Sequence, residues 1–167
     1  MKAVVQRVLN AGVTVDGIVK GSIKHGLLIY LGIAHDDVKS DADRLAEKIV
    51  NLRIFDDTAG KMNLSLMDIT AGKQAENGVG VLAVSQFTLL ADARKGRRPS
   101  WNGAAPPEKA KRLYEYFMDK IRKLGLTCES GVFQASMKVS YTNDGPVTII
   151  LDTKELQALP SRSCGPD

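Results

Sequence analysis

The stretch Val13-Thr14-Val15-Asp16-Gly17-Ile18-Val19 sets two β-branched runs on either side of an Asp-Gly pair, the sequence of a tight two-residue β-hairpin. Upstream of it, Lys2-Ala3-Val4-Val5-Gln6-Arg7-Val8 alternates enough to be a strand. Downstream, residues 26–33 form a continuous apolar run, as expected for a strand covered on both faces. From Ser40, read as an N-cap with Asp43 near the first turn, apolar residues recur at Ala42, Leu45, Ala46, Ile49 and Leu52, the spacing of an amphipathic helix. Residues 52–55 then predict a strand, Asp57-Thr58-Ala59-Gly60 a turn, residues 72–78 a polar stretch and residues 79–84 a buried strand. A second helix opens at Pro106-Pro107, carries Ala110, Leu113, Tyr114, Phe117, Ile121 and Leu124 on one face, and stops at Gly125. Further strands are expected at residues 132–133, 137–142 and 147–151. Strands in runs with two helices inserted predict an α+β fold with a mostly antiparallel sheet rather than a doubly wound parallel one. The tail, with Pro160, Ser161, Ser163, Gly165 and Pro166, reads as flexible.

A chain of 167 residues fits one domain with one core. With 44% hydrophobic and 25% charged residues, the composition is that of a soluble globular protein and excludes a disordered or fibrous one. No segment approaches the roughly 20 apolar residues that span a bilayer, and the first residues form a strand-like pattern instead of a signal peptide. A cytoplasmic location without membrane attachment is therefore expected. Cys128, in a predicted strand, and Cys164, in the tail, have neither metal-ligand nor disulfide-framework spacing, and read as bland thiols. His25 and His35 lie at element ends without a second His or Cys at ligand spacing, so no zinc site is expected.

Two short segments carry the candidate chemistry. Ser85-Gln86-Phe87-Thr88-Leu89 closes an apolar run with a hydroxyl, an amide, an aromatic ring and a second hydroxyl. Asn143-Asp144-Gly145-Pro146-Val147-Thr148 puts a Gly-Pro bond at the tip of an apparent turn between strands. Each alone is ordinary, because Ser and Thr at a strand end usually bond nearby backbone and Gly-Pro usually marks a turn. By frequency the Gly145–Pro146 bond would be trans, since only about 5–6% of X-Pro bonds in folded proteins are cis. Arg94, Lys95, Arg97 and Arg98 place four cations in five residues around Gly96. Such a cluster is either a solvated loop or a phosphate contact, and the net charge of +4 favours a polyanionic partner only mildly.

Both segments, with the opening Met1-Lys2-Ala3-Val4-Val5-Gln6-Arg7-Val8, resemble the D-aminoacyl-tRNA deacylase family, editing enzymes that hydrolyse the ester between a D-amino acid and tRNA. The resemblance runs to about Thr153, so it implies one deacylase domain over residues 1–153 and leaves residues 154–167 outside. It implies a compact, mostly antiparallel sheet barrel with two main helices, a homodimer, and D-aminoacyl-tRNA as substrate without a cofactor. By the same resemblance Ser85 and Thr88 are the catalytic positions, and Gln86, Phe87 and Met137 bind substrate. Gly145 and Pro146 form a cis peptide that enters the partner's pocket, where its carbonyls capture the substrate amine and leave no room for an L side chain. Arg7 locks that loop. The position of Arg94, Lys95, Arg97 and Arg98 beside the site then favours the tRNA backbone as their partner. One departure is Ser136, where many relatives carry a more acidic residue.

An aminoacyl-tRNA ester is already reactive, through its protonated amine and the neighbouring ribose hydroxyl. No Ser-His-Asp set is evident, since neither histidine lies in or beside either segment. The hydroxyls and backbone N–H groups of residues 85–88 suit an ester carbonyl and its developing oxyanion. Two mechanisms stay open: Thr88 as nucleophile or water activator, or the tRNA 2′-OH doing the proton work while the protein positions the ester. The second is favoured because no base is evident beside Thr88. Steric rejection of L side chains would admit many D-aminoacyl esters and also glycine. Two other classes compete: a non-catalytic nucleic-acid-binding module, and a related deacylase for mischarged L-Ala or Gly. The intact Ser-Gln-Phe-Thr sequence speaks against the latter.

Overall fold

The computed structural model describes residues 1–71, 78–94 and 96–156. Strand β1 (Lys2–Val15) pairs antiparallel with β2 (Ile18–Ile23) and β3 (Gly26–Gly32) on one side and with β8 (Lys138–Asp152) on the other. The Asp16-Gly17 pair makes the predicted hairpin, with φ of 51° and 78° as a primed turn requires. Beyond β3 the pairing turns parallel: β3 with β6 (Gly80–Ser85), and β6 with β7 (Cys128–Ser130). The sheet is thus mixed around its last three strands. Gly21 of β2 then lies against β7, where a Cβ would stand 2.5 Å from the Ser130 carbonyl oxygen. That close approach leaves a nearly closed barrel.

Val8, Val13, Leu28, Leu82 and Val84 fill the barrel interior. The opposite faces of β3 and β6, including Leu27, Ile29, Val81 and Ala83, pack under α1 (Lys39–Val50) and α3 (Pro107–Lys123). Burial on both faces explains why β3 and β6 read as unbroken apolar runs. Tyr114 donates its hydroxyl hydrogen to the Ala83 carbonyl at 2.8 Å, which ties α3 to β6 and fixes the entry of α3 beside the end of that strand.

Four expectations are corrected. Helix α1 starts after Val38, whose N–H bonds the Asp41 carboxylate at 2.9 Å, so Ser40 is not the cap. Residues 52–54 form no strand; the Ile54 carbonyl accepts from Arg7 Nη1 at 2.6 Å, and only β4 (Phe55–Asp56) pairs, with β5 (Met62–Leu64). Residues 132–133 form a loop with Gln134 at a φ of 63°, a conformation no strand contains. Residues 138–142 and 147–151 belong to one strand, with Met137 just before it, so Gly145-Pro146 is not a hairpin tip. A short helix, α2 (Leu66–Ala71), went unread although Ser65 and Asp68 have capping spacing: Asp68 accepts from the Ser65 N–H and hydroxyl at 2.8 and 2.7 Å. The polar stretch at residues 72–77 and the tail beyond 156 lie outside the described residues. Lys154, Glu155 and Leu156 form a turn after β8, with Glu155 N–H bonded to the Asp152 carbonyl at 3.0 Å.

Candidate active site

Parallel strands β3, β6 and β7 all point their carboxyl ends at one cleft of about 570 Å³. Leu31, Ile33 and Val84 form its strand side, Pro107 and Ala110 bring the first turns of α3, and Phe133, Gln134 and Met137 close it from beyond β7. The β6 ladder ends where the Gln86 N–H bonds the Leu31 carbonyl at 2.8 Å; residues Phe87–Leu90 then wind into a single 3₁₀ turn. The first N–H groups of such a turn have no acceptor within it, and Phe87, which opens the turn, lines the cleft. None of the described side chains lining the cleft is acidic, basic or a thiol.

Ser85, Gln86, Phe87 and Met137 all line this cleft. Thr88 does not: it is exposed on the 3₁₀ turn, and its hydroxyl accepts a hydrogen bond from the Gln86 side-chain amide. Phe87 is 59% exposed and meets Trp101, 40% exposed, edge to face at 5.7 Å. Two open rings beside a cleft suit stacking on a nucleobase. Trp101 was not singled out by its sequence because it lies in a Gly/Pro-punctuated loop without periodicity. Gln134 lines the cleft in the left-handed region, a conformation that gathers at functional sites in non-glycine residues, and no residue type at that position announces it.

Gly145 and Pro146 lie elsewhere. Gln6 pairs with Thr148 and Val8 with Asn143, so residues 144–147 leave the ladder opposite Arg7 and stand out as an excursion. Its Gly145–Pro146 bond is cis, and both residues are exposed. Asn143 closes the excursion's neck by donating to the carbonyls of Arg7 and Val147, each at 3.0 Å. Arg7, 6% exposed, stands beneath it: Nε is 2.8 Å from Asp144 Oδ2, while Nη1 reaches Ile54 O and lies 3.5 Å from Asp56 Oδ1. The Asp144 contact is an ion pair in which Nε makes no aligned hydrogen bond. A Cβ on Gly145 would come to 3.0 Å from Arg7 Nη2, and Gly145 has a φ of +106°. Arg7 pairs with Leu27 and Ser85 with Leu31, which puts excursion and cleft four residues, about 13 Å, apart along β3.

In the basic loop, Arg94 is committed to Asp92, with Nε and Nη2 at 2.9 and 2.7 Å from its two carboxylate oxygens. The guanidinium holds the Asp92 carboxyl well below its usual range. Arg97 and Arg98 are exposed, and Lys95 lies outside the described residues. Neither histidine lines the cleft: His25 packs edge-on against Phe55 at 5.3 Å, and His35 stands beside Asp36. Burial pushes the Cys128 thiol up to about 12, as for an inert core residue.

The family described as D-Tyr-tRNA(Tyr) deacylase matches residues 4–152. The D-aminoacyl-tRNA deacylase of Koribacter versatilis (strain Ellin345) is 57% identical over 155 residues, 93% of this chain and 99% of that protein. That of Geotalea uraniireducens (strain Rf4) is 55% identical over 98% of this chain and 100% of its own length. Among solved structures, a c-Myc DNA unwinding element binding protein superposes with a TM-score of 0.81 at 40% identity, covering 91% of this chain and 98% of that one. A probable eukaryotic D-amino acid tRNA deacylase, 14% identical, has the same fold with a TM-score of 0.76, over 90% of this chain and 97% of its own. Matched over nearly its whole described length, the chain belongs to the D-Tyr-tRNA(Tyr) deacylase family.

Proposed function

We propose that this protein hydrolyses the ester between a D-amino acid and the 3′ end of tRNA, releasing free D-amino acid and tRNA, as proofreading in the cytoplasm. The observation that carries the reading is the cleft itself. It offers a hydroxyl, two side-chain amides and, beside it, a 3₁₀ turn and open aromatic rings, but no acid, base or thiol among its described lining. Such a surface can orient a reactive ester and stabilise its oxyanion without supplying a proton acceptor. The neighbouring 2′-OH of the terminal ribose takes that part: water adds to the carbonyl, the tetrahedral oxyanion meets the turn's N–H groups, and the 3′ oxygen leaves with a proton. Ser85 positions the ester, Thr88 contributes through its hydrogen bond with the Gln86 amide, and Gln86, Phe87 and Met137 hold the terminal residue.

Chirality is imposed by a second copy of the chain. Measured along β3, the Gly145-Pro146 excursion and the cleft of its own chain stand four residues, about 13 Å, apart, which favours a site that uses both being built by two copies. A homodimer agrees with β8, a 15-residue edge that pairs only with β1 among the described residues and exposes Tyr141 and Ile150. The partner's two carbonyls at residues 145 and 146 receive the substrate ammonium and fill the space an L side chain would need. Glycine, with no side chain to exclude, is accepted too. Arg7 supports the loop, and Arg97 and Arg98 contribute phosphate contacts.

A second reading rests on the solved relative titled for binding a DNA unwinding element, which makes a non-catalytic nucleic-acid-binding module the competitor. Release of labelled tyrosine from D-Tyr-tRNA and L-Tyr-tRNA, assayed in parallel, separates the two. Rapid loss of the D ester alone is expected; retention of both esters on a protein that still binds tRNA overturns the deacylase reading.

A further inference from the structure

On the face of α3 next to the cleft, Lys39, Lys109 and Arg112 line a groove of about 400 Å³ together with the exposed Val38 and the buried Leu113. Among the described residues, none of these three cations has a carboxylate within ion-pair distance. Lys109 Nζ donates to the His35 carbonyl at 2.6 Å, and Lys39 Nζ lies 5.1 Å from the centre of the Tyr116 ring. Both contacts hold an ammonium in place without cancelling its charge. Asp37 also borders the groove but is buried and spent, with Oδ1 on the Met1 ammonium and Oδ2 on the Ala34 N–H. Of the nearby acids, Asp36 pairs with Lys154, Asp41 with Arg44, Asp43 with Lys120 and Glu115 with Lys111; Glu108, exposed beside Lys109, has no ion-pair partner among the described residues and offsets one of the three charges. A net-positive cluster of three cations on a concave surface is the footprint of a polyanion.

Its position says which part of that polyanion. Pro107 and Ala110 line the cleft while Lys109, Arg112 and Leu113, from the same two turns of α3, line the groove. Only the helix's width, about 10–12 Å with side chains, separates them. At about 3.4 Å of rise per nucleotide along a stacked strand, this is the span of roughly three nucleotides. We infer that the Lys39/Lys109/Arg112 groove holds the phosphates a few nucleotides back from the 3′ end of the tRNA whose ester occupies the cleft. The inference rests on the deacylase reading and adds to it a second RNA contact, separate from the Arg94–Arg98 loop, in which Arg94 is already paired.

The test compares Lys39→Gln/Lys109→Gln/Arg112→Gln with the intact protein on two esters, D-Tyr-tRNA and the D-tyrosyl ester of adenosine, which carries no phosphates. Lys39→Gln/Arg112→Gln serves as a second variant that keeps the Lys109 bond to His35. The expected result is a tenfold or larger fall in the ratio of kcat/KM for tRNA over the adenosine ester, carried by KM. The slope of log(kcat/KM) against log[salt] should fall by about two for three single-strand phosphate contacts. Arginine at positions 39 and 109 should restore both. An unchanged ratio and salt slope overturn the groove. Binding of uncharged tRNA, measured alongside, keeps the two readings apart: weaker binding by the variants supports the groove even if the intact protein hydrolyses neither ester, an outcome that sinks the deacylase reading alone.

Discussion

Thr88 has its hydroxyl hydrogen-bonded to the Gln86 amide and open to solvent, with no base among the described residues of the cleft to deprotonate it. A nucleophile in that setting would be weak, since its activation needs an adjacent base or a lowered pKa. Thr88→Ala is therefore expected to lose less than about tenfold in single-turnover rate on D-Tyr-tRNA, where removing a true nucleophile costs on the order of 10⁴-fold or more. A 2′-deoxy terminal adenosine should cost far more than the variant; the opposite ranking would return the chemistry to Thr88. The Ser85 to Thr88 run was legible because polar groups at the end of a buried strand have to serve something. Asn143 was not, since one Asn beside Asp144-Gly145 looks like ordinary turn chemistry until its two acceptors are seen. Cys128 offers a pH test at this same scale. Its thiol titrates near 9.0 when free and near 12 when buried, so between those values the folded state keeps a proton that the unfolded state has lost. Stability then falls as pH rises from about 9, by up to roughly 1.4 kcal/mol per pH unit from this group. Urea midpoints at pH 8 and pH 10 should converge partway in Cys128→Ala; equal slopes in both proteins would remove Cys128 as the cause.

Strands β1, β2 and β3 and helices α1 and α3 follow from their periodicity, but the direction of pairing does not. A strand buried on both faces, such as β3 or β6, carries no alternation that says whether its neighbour runs parallel, and here the intervening α1 supplies the crossover that makes it so. The excursion of residues 144–147 was misread as a hairpin for a related reason. Local sequence shows that the chain leaves the strand, while only the register of both flanks on β1 shows that it returns to the same ladder. Its neck depends on Asn143, and Asn143→Ala leaves the Arg7 and Val147 carbonyls without that donor. The expected loss is about 1–3 kcal/mol of unfolding free energy. Hydrogen exchange should rise within residues 144–147 before it rises in β1, and catalytic rate should fall together with selectivity for the D ester. Wild-type protection of that segment in the variant would mean that Arg7 and the ladder hold it unaided.

At the scale of the molecule, one strand register governs how the site is assembled. The cleft opens at the Leu31 end of β3 and the Gly145-Pro146 excursion stands at the Leu27 end, on a sheet that is hydrogen-bonded throughout between them. With that separation built into the sheet, the proposed pairing of two copies would bring each excursion to the other copy's cleft. Complementation tests this directly. Gly145→Asp burdens the excursion and leaves the cleft alone; Ala135→Trp fills the cleft, which Ala135 lines, and leaves the excursion alone. Each variant by itself is expected to be nearly inactive on D-Tyr-tRNA while still unfolding cooperatively, Gly145→Asp at a lower temperature because Gly145 has a φ of +106°. After partial denaturation and joint refolding at equal concentration, half the dimers are mixed, and each of those joins one unblocked cleft to one unburdened excursion. About a quarter of all sites, and so about a quarter of wild-type activity, should return. If both elements acted within one chain, every copy would keep its own defect and refolding together would restore nothing. A monomer by sedimentation at assay concentration, still selective for the D ester, would refute the paired site by an independent route.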